Sequence, residues 1–205
     1  MNLLELFCGT KSIANVFQEY GNQVFTVDFD KSFNPDLCID IMKLYPSMIP
    51  FKPDVIWASP PCQCFSIASI YNHWINGKDG KIPISNRALD STVLVFRTLW
   101  LIRMFQPKYY FIENPVGCLR KLDVLREIPR KTVTYCQYGD YRMKPTDIWT
   151  NDVYWNPRPV CHNGDSCHES SPRGSSKGTQ GIMNPIERAR IPRDLCIDIL
   201  NSCII

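Results

Sequence analysis

The chain lacks a long apolar run. No stretch approaches the roughly 20 residues that cross a bilayer. Met1-Asn2 leads straight into the apolar segment Leu3-Leu4-Glu5-Leu6-Phe7, without the regions of a signal peptide. These absences argue against export or membrane insertion and favour a cytoplasmic location. Internal repeats are missing as well, so no repeat architecture is expected. Charge of one sign is not in marked excess: 23 basic against 20 acidic residues leave a net +3. That balance permits a nucleic-acid partner without demanding one. Glycine is sparse where it would be most informative. The turn after the first apolar segment has Gly9 alone, where dinucleotide sites usually carry three.

Cysteine, by contrast, is plentiful. Ten cysteines are scattered through helix and strand patterns in a chain without an export signal, so reduced thiols are expected rather than disulfides. With 205 residues, 44% hydrophobic and 21% charged, the chain can bury a sizeable core as one domain.

Apolar segments at 3–7, 23–27, 37–39, 54–57 and 109–112 read as strands, with later ones at 131–136 and 146–150. Helical patterns follow Gly9 to about Tyr20 and span 87–105 before Pro107; a last one covers 191–200. Alternation of strands and helices predicts an α/β fold with a doubly wound, Rossmann-like parallel sheet. Asp28, Asp40, Cys62 and Glu113 then all fall at or beyond strand C-terminal ends, along the one edge where such sheets bind ligands.

The segment Ala58-Ser59-Pro60-Pro61-Cys62-Gln63-Cys64-Phe65-Ser66 follows a buried strand and is stiffened by two prolines. A thiol held there is placed to act as a nucleophile, or is an inert core cysteine. In the first turn, Gly9 permits a tight bend and the next helix start can hold an anionic group. Lys11 could offer its ammonium to a carboxylate, and Asp28 could accept from ribose hydroxyls. A plain strand–helix turn is the competing reading.

Together these segments resemble the cytosine-C5 DNA methyltransferase family. Phe7-Cys8-Gly9 is similar to its first motif, Asp28 to its ribose-binding acid, and Asp40-Ile41 to the pair that meets the adenine of S-adenosylmethionine. Pro60-Pro61-Cys62-Gln63 resembles the catalytic loop, Glu113-Asn114-Pro115 the Glu-Asn-Val motif, and Tyr138-Gly139 with Arg142 the arginine motif. The resemblance covers residues 3–150 in family order. It implies catalysis by Cys62, Glu113 and Arg142. It also implies a cofactor site of Phe7, Gly9, Thr10, Lys11, Asp28, Asp40, Ile41 and Pro60 for S-adenosylmethionine. Duplex DNA with a flipped cytosine is the implied partner, contacted by Gln63, Ser66, Arg142 and Lys144. RNA is the alternative substrate and a silent binding protein the alternative class.

Some features depart from the family. Lys11 and Ser12 stand where it has glycines, and proline follows Glu113-Asn114 where it has valine. Residues 1–156 are expected to form the catalytic domain and 157–205 a short recognition loop with a closing helix. The 157–183 loop is rich in Gly, Ser, Pro and charge. Arg158, Arg173, Lys177 and Gln180 are its candidate contacts to nucleic acid, against a solvated polar loop. The brevity of this tail resembles methyltransferases that bacteriophages encode, which would place the protein in a host cytoplasm. Cys161-His162 and Cys167-His168 raise zinc, yet neighbouring residues rarely face one metal and the spacing fits no standard finger, so no metal is expected. Cys64 is expected to be a packing thiol.

Overall fold

The computed structural model describes residues 1–67, 69–78, 80–169, 182 and 184–204. Its first half runs β1 (Asn2–Leu6), α1 (Ser12–Glu19), β2 (Gln23–Asp28), β3 (Leu37–Cys38) and β4 (Val55–Ala58). A short helix α2 (Ile70–His73) and a hairpin, β5 (Trp74–Asn76) with β6 (Lys81–Pro83), follow and lead into α3 (Asn86–Phe105). The second half runs β7 (Tyr109–Pro115), β8 (Arg130–Thr134), β9 (Pro145–Thr150), α4 (Pro185–Ala189) and α5 (Arg193–Ile204).

Seven strands form one sheet in the order β3-β2-β1-β4-β7-β9-β8. Side chains of a strand alternate between faces, and the core splits accordingly. Leu4, Leu6, Ile56, Ala58 and Ile112 pack on one side with α3, through Val95, Leu101 and Phe105. Leu3, Val55, Trp57 and Phe111 pack on the other with α1 and α5, through Phe17, Leu195 and Ile199. Helices therefore cover both faces, as the alternation of elements predicts.

Local chemistry sets the helix ends. Ser85 Oγ accepts from Ala88 N–H at 3.2 Å to open α3. Gln106 in the left-handed region closes it, and Pro107 cannot continue it. In α5, Leu195, Cys196, Ile199, Leu200 and Cys203 are buried, a spacing that forms one helical stripe. The closing helix thus belongs to the core. Arg193 pairs with Glu19 at 2.6 Å across the α1–α5 contact.

The last two strands bring a turn that sequence pattern does not specify. β9 runs antiparallel to both β7 and β8 and sits between them. Its register sets Glu113 opposite Ile148 and Pro115 opposite Thr146. The residues just before β9 are thereby carried to the C-terminal edge of β7, beside Glu113.

Candidate active site at the strand edge

Three strand ends converge on Cys62. The loop after β4 is folded by its own backbone: Phe65 and Ser66 N–H groups donate to the Cys62 carbonyl at 2.9 and 3.0 Å. The loop is pinned from β7 as well. Asn114 Nδ2 donates to the Pro60 carbonyl at 2.9 Å. Cys118 N–H donates to the Phe65 carbonyl at 2.6 Å. Gly117 makes that approach possible, because a Cβ there would lie 2.1 Å from the Phe65 carbonyl oxygen. Cys64 is buried, and its carbonyl accepts from Trp74 Nε1 at 2.7 Å, a packing role as expected.

Glu113 is only 6% exposed. Burial pushes its carboxyl above the usual carboxylate range, while Lys144, Ser59 and Tyr135 draw it back. Tyr135 donates its hydroxyl to Glu113 Oε1 at 3.3 Å. Ser59 is itself fixed, since Trp57 Nε1 donates to its Oγ at 2.8 Å. The Cys62 thiol is raised by burial and by the nearby Glu113 charge, and lowered by Lys144 and Arg188. Burial lowers the Lys144 ammonium, and Glu113 opposes that. Lys144 Nζ donates to the Arg188 carbonyl at 2.8 Å and lies 4.5 Å from the Tyr135 ring centre. The site therefore joins a thiol, a buried carboxyl and an ammonium, each able to bias the others.

Arg142 occupies a different setting from Lys144. It is 4% exposed, and its guanidinium grips the Asp140 carboxylate. Its Nη1 also donates to the carbonyls of Glu187 and Arg188 at 3.4 and 3.3 Å. With its charge balanced by Asp140, it braces the turn that carries Lys144. Ser59, Tyr135 and Arg188 are participants that sequence reasoning missed. Tyr135 lies three residues before the recognised Tyr138-Gly139 and was the most readable of them.

The turn after β1 holds several residues in the left-handed region. Phe7, Gly9 and Lys11 have φ of 56°, 43° and 55°. For the two non-glycine residues such φ values cost about 1 kcal/mol or more each. Asp28 holds the turn: Gly9 and Asp30 N–H groups donate to its two oxygens, each at 3.0 Å. Glu5, buried beneath, accepts from Ala14 N–H at 3.0 Å, and burial pushes it up to about 8. Thr10 and Ser12 hydroxyls share a 2.9 Å bond. Lys11 Nζ donates to the Asn34 carbonyl, so its ammonium clips the turn to the β2–β3 connection. Asp40 caps its own short turn by accepting from Met42 N–H at 2.9 Å, and Ile41 is buried in the core.

Of the remaining candidates, Gln63 is exposed, and Ser66 Oγ bonds Ser69 Oγ at 2.9 Å. Arg158 is engaged locally, donating to the Gln137 carbonyl at 2.7 Å and lying over the Tyr138 ring at 4.8 Å. Arg173, Lys177 and Gln180 lie outside the described residues. No helix among the described residues is long and apolar enough to cross a membrane.

The C-5 cytosine-specific DNA methylase family matches residues 1–146, a span that contains β1 through Lys144. The chain belongs to this family. It is 30% identical, over 99% of its length and all of the relative's, to a probable DNA (cytosine-5)-methyltransferase of Frog virus 3 (isolate Goorha). In fold, this methylase-family chain is similar to a putative DNA modification methyltransferase encoded within an E. coli prophage. That match has a TM-score of 0.53 at 15% identity, covering 78% of this chain and 52% of the other. It is also similar to the Entamoeba histolytica methyltransferase EhMeth, with a TM-score of 0.52 at 17% identity over 77% and 55%. The chain thus spans about half the length of these solved structures but all of the frog-virus protein.

Proposed function

We propose that the protein is a DNA (cytosine-5)-methyltransferase that works through a covalent Cys62 adduct. The observation that carries this reading is the meeting of Cys62, the buried Glu113 and Lys144 at one sheet edge. Carbon 5 of cytosine is a weak nucleophile until something adds at carbon 6. The Cys62 thiolate makes that addition, forming a bond from Sγ to carbon 6. Glu113, whose burial keeps its proton to higher pH than an ordinary carboxyl, gives that proton to ring nitrogen 3 as electrons move toward it. Ser59 and Tyr135 hold the carboxyl in place for the transfer. Lys144 favours the thiolate over the thiol and steadies the charge of the adduct. After carbon 5 is methylated it loses its proton to solvent water acting as base. The Sγ–carbon 6 bond then breaks, returning the thiolate, and nitrogen 3 returns its proton to Glu113.

The residues at the β1 turn fit S-adenosylmethionine. Asp28 has given two of its roughly four lone-pair positions to backbone N–H groups, leaving acceptor capacity for vicinal ribose hydroxyls. Phe7, Gly9, Thr10 and Lys11 would line the same turn, with Asp40 and Pro60 at its borders. When bound, S-adenosylmethionine supplies the methyl group from its sulfonium. In duplex DNA the cytosine must leave the stack, at a cost of a few kcal/mol. Lys144 and Arg188 place positive charge near Cys62, which suits an anionic nucleic acid.

The test incubates the protein with isotopically labelled S-adenosylmethionine and duplex DNA, single-stranded DNA or total tRNA, then identifies digested nucleosides by mass spectrometry. Labelled 5-methylcytosine from duplex DNA is the expected result. Label confined to tRNA would move the activity to RNA. No label anywhere, with no Cys62 adduct on 5-fluorocytosine DNA, would end the catalytic reading.

A further inference from the structure

Just beyond the end of β8, four side chains that commonly bind metals converge: Cys136, Cys161, Cys167 and His168. Cys136 lies in the turn after β8, and the other three lie in the segment beyond β9. Cys136 Sγ is 3.0 Å from Cys161 Sγ and 3.7 Å from Cys167 Sγ. His168 Nδ1 is 3.6 Å from Cys161 Sγ and 3.7 Å from Cys167 Sγ. All four ligand atoms fall within 4.8 Å of one another.

A tetrahedral zinc ion, with Zn–S of about 2.3 Å and Zn–N of about 2.0–2.1 Å, sets sulfur–sulfur edges near about 3.8 Å and sulfur–nitrogen edges near about 3.6 Å. Three of the four separations match this tetrahedron. The Cys136–Cys161 edge is shorter and needs to open by less than an ångström. We propose that Cys136, Cys161, Cys167 and His168 form a structural zinc site that fastens residues 157–169 to the turn carrying Tyr135.

The donor set selects the ion. Three thiolates and an imidazole suit zinc and reject magnesium or calcium, which want oxygen ligands. Four protein ligands leave no open position, so the role is structural rather than catalytic. The His168 ring supports the assignment. Its Nδ1 faces the Cys161 and Cys167 sulfurs at 3.6 and 3.7 Å. Gln137 Nε2 adds an outer bond to Cys167 Sγ at 3.5 Å, the kind of support that orients a ligand. His162 is exposed and is not one of the four residues whose ligand atoms converge. Cys136, 25 residues before Cys161, takes the fourth place and removes the difficulty of recruiting only sequence neighbours.

The clip has a defined span. Cys161 N–H donates to Thr134 Oγ1 at 3.0 Å, and Glu169 N–H donates to the Tyr141 carbonyl at 2.9 Å. Both ends of the segment are therefore already laid across residues 134–141, and the metal closes the middle. Tyr135, which bonds Glu113, is next to the ligand Cys136.

The full chain, purified under reducing conditions without chelator, is expected to carry about one zinc per molecule by elemental mass spectrometry. After zinc is stripped, cobalt(II) should restore stoichiometric binding with the visible bands of a tetrahedral thiolate site. Cys167→Ser and His168→Ala, at less buried positions than Cys136, should each lower retained zinc at least tenfold while circular dichroism shows a folded protein. His162→Ala and Cys38→Ser should retain it. Zinc near zero with no tetrahedral cobalt spectrum would overturn the site. So would loss of zinc in His162→Ala, or a Cys136–Cys161 disulfide in the reduced preparation.

Discussion

Two groups of cysteine in this chain face opposite chemical surroundings. Cys62 stands singly between a carboxyl and an ammonium. Cys136, Cys161 and Cys167 stand among themselves with one imidazole. A lone thiol biased by an acid and a base is equipped to form and break a carbon–sulfur bond. Crowding acts differently on Cys136, whose thiol is raised first by burial and then by its sulfur neighbours. Such a group is settled by a shared cation rather than by a substrate. The two settings differ in what shares each thiol's space, more than in its place in the sequence.

The largest effect should come from removing the solitary thiol. Cys62→Ala is expected to lower methyl transfer by at least about 10³-fold, because the reaction loses its nucleophile. Cofactor binding by calorimetry and zinc content should stay at the wild-type level. Substantial residual turnover would dissolve the contrast between the two groups. Glu113→Gln should lower kcat by about 10²–10³-fold with an unchanged melting curve. If the variant melts much earlier instead, Glu113 is part of the framework.

Lys144→Met should cost about tenfold or somewhat more, and its signature is in the pH profile. The ammonium lowers both Cys62 and Glu113. Without it both groups hold their protons to higher pH, so both limbs of kcat/KM against pH should move upward together. An unmoved profile would separate Lys144 from the catalytic pair. The smallest effect on chemistry should come from the thiol cluster. Cys167→Ser should change kcat only a few-fold yet lower the melting temperature by roughly 4 °C or more, as losing a structural metal does. A collapse of kcat with no change in melting would assign that cluster to the reaction.

The sheet was legible because its strands are short apolar runs that end in polar residues with chemical use. Asp28, Cys62 and Glu113 could be aligned on one edge from that alone, since parallel strands share a direction. The meeting of Lys144 with Glu113 was not legible. It depends on β9 inserting antiparallel between β7 and β8, a choice of neighbours that no local pattern records. Ser59 was hidden for a related reason, as its role rests on a bond from Trp57 across the same strand end. Arg142 was legible as a residue of the right kind in the right motif. Its sequestration by Asp140, two positions earlier, turns on side-chain packing. Cys136 was absent from any zinc reading because 25 residues separate it from Cys161, the nearest of its partners.

The pairing of α1 with α5 bears on how the chain is made. The cover of Ile13, Val16 and Phe17, Leu195 to Cys203, is translated about 180 residues after them. Ile191 N–H even donates to Ser12 Oγ at 3.2 Å, at the border of the β1 turn. On the ribosome, then, one face of α1 stays bare until α5 has been made. A nascent chain stalled before that final helix would expose a sticky apolar stripe next to an unfinished turn, making it a natural client for a chaperone.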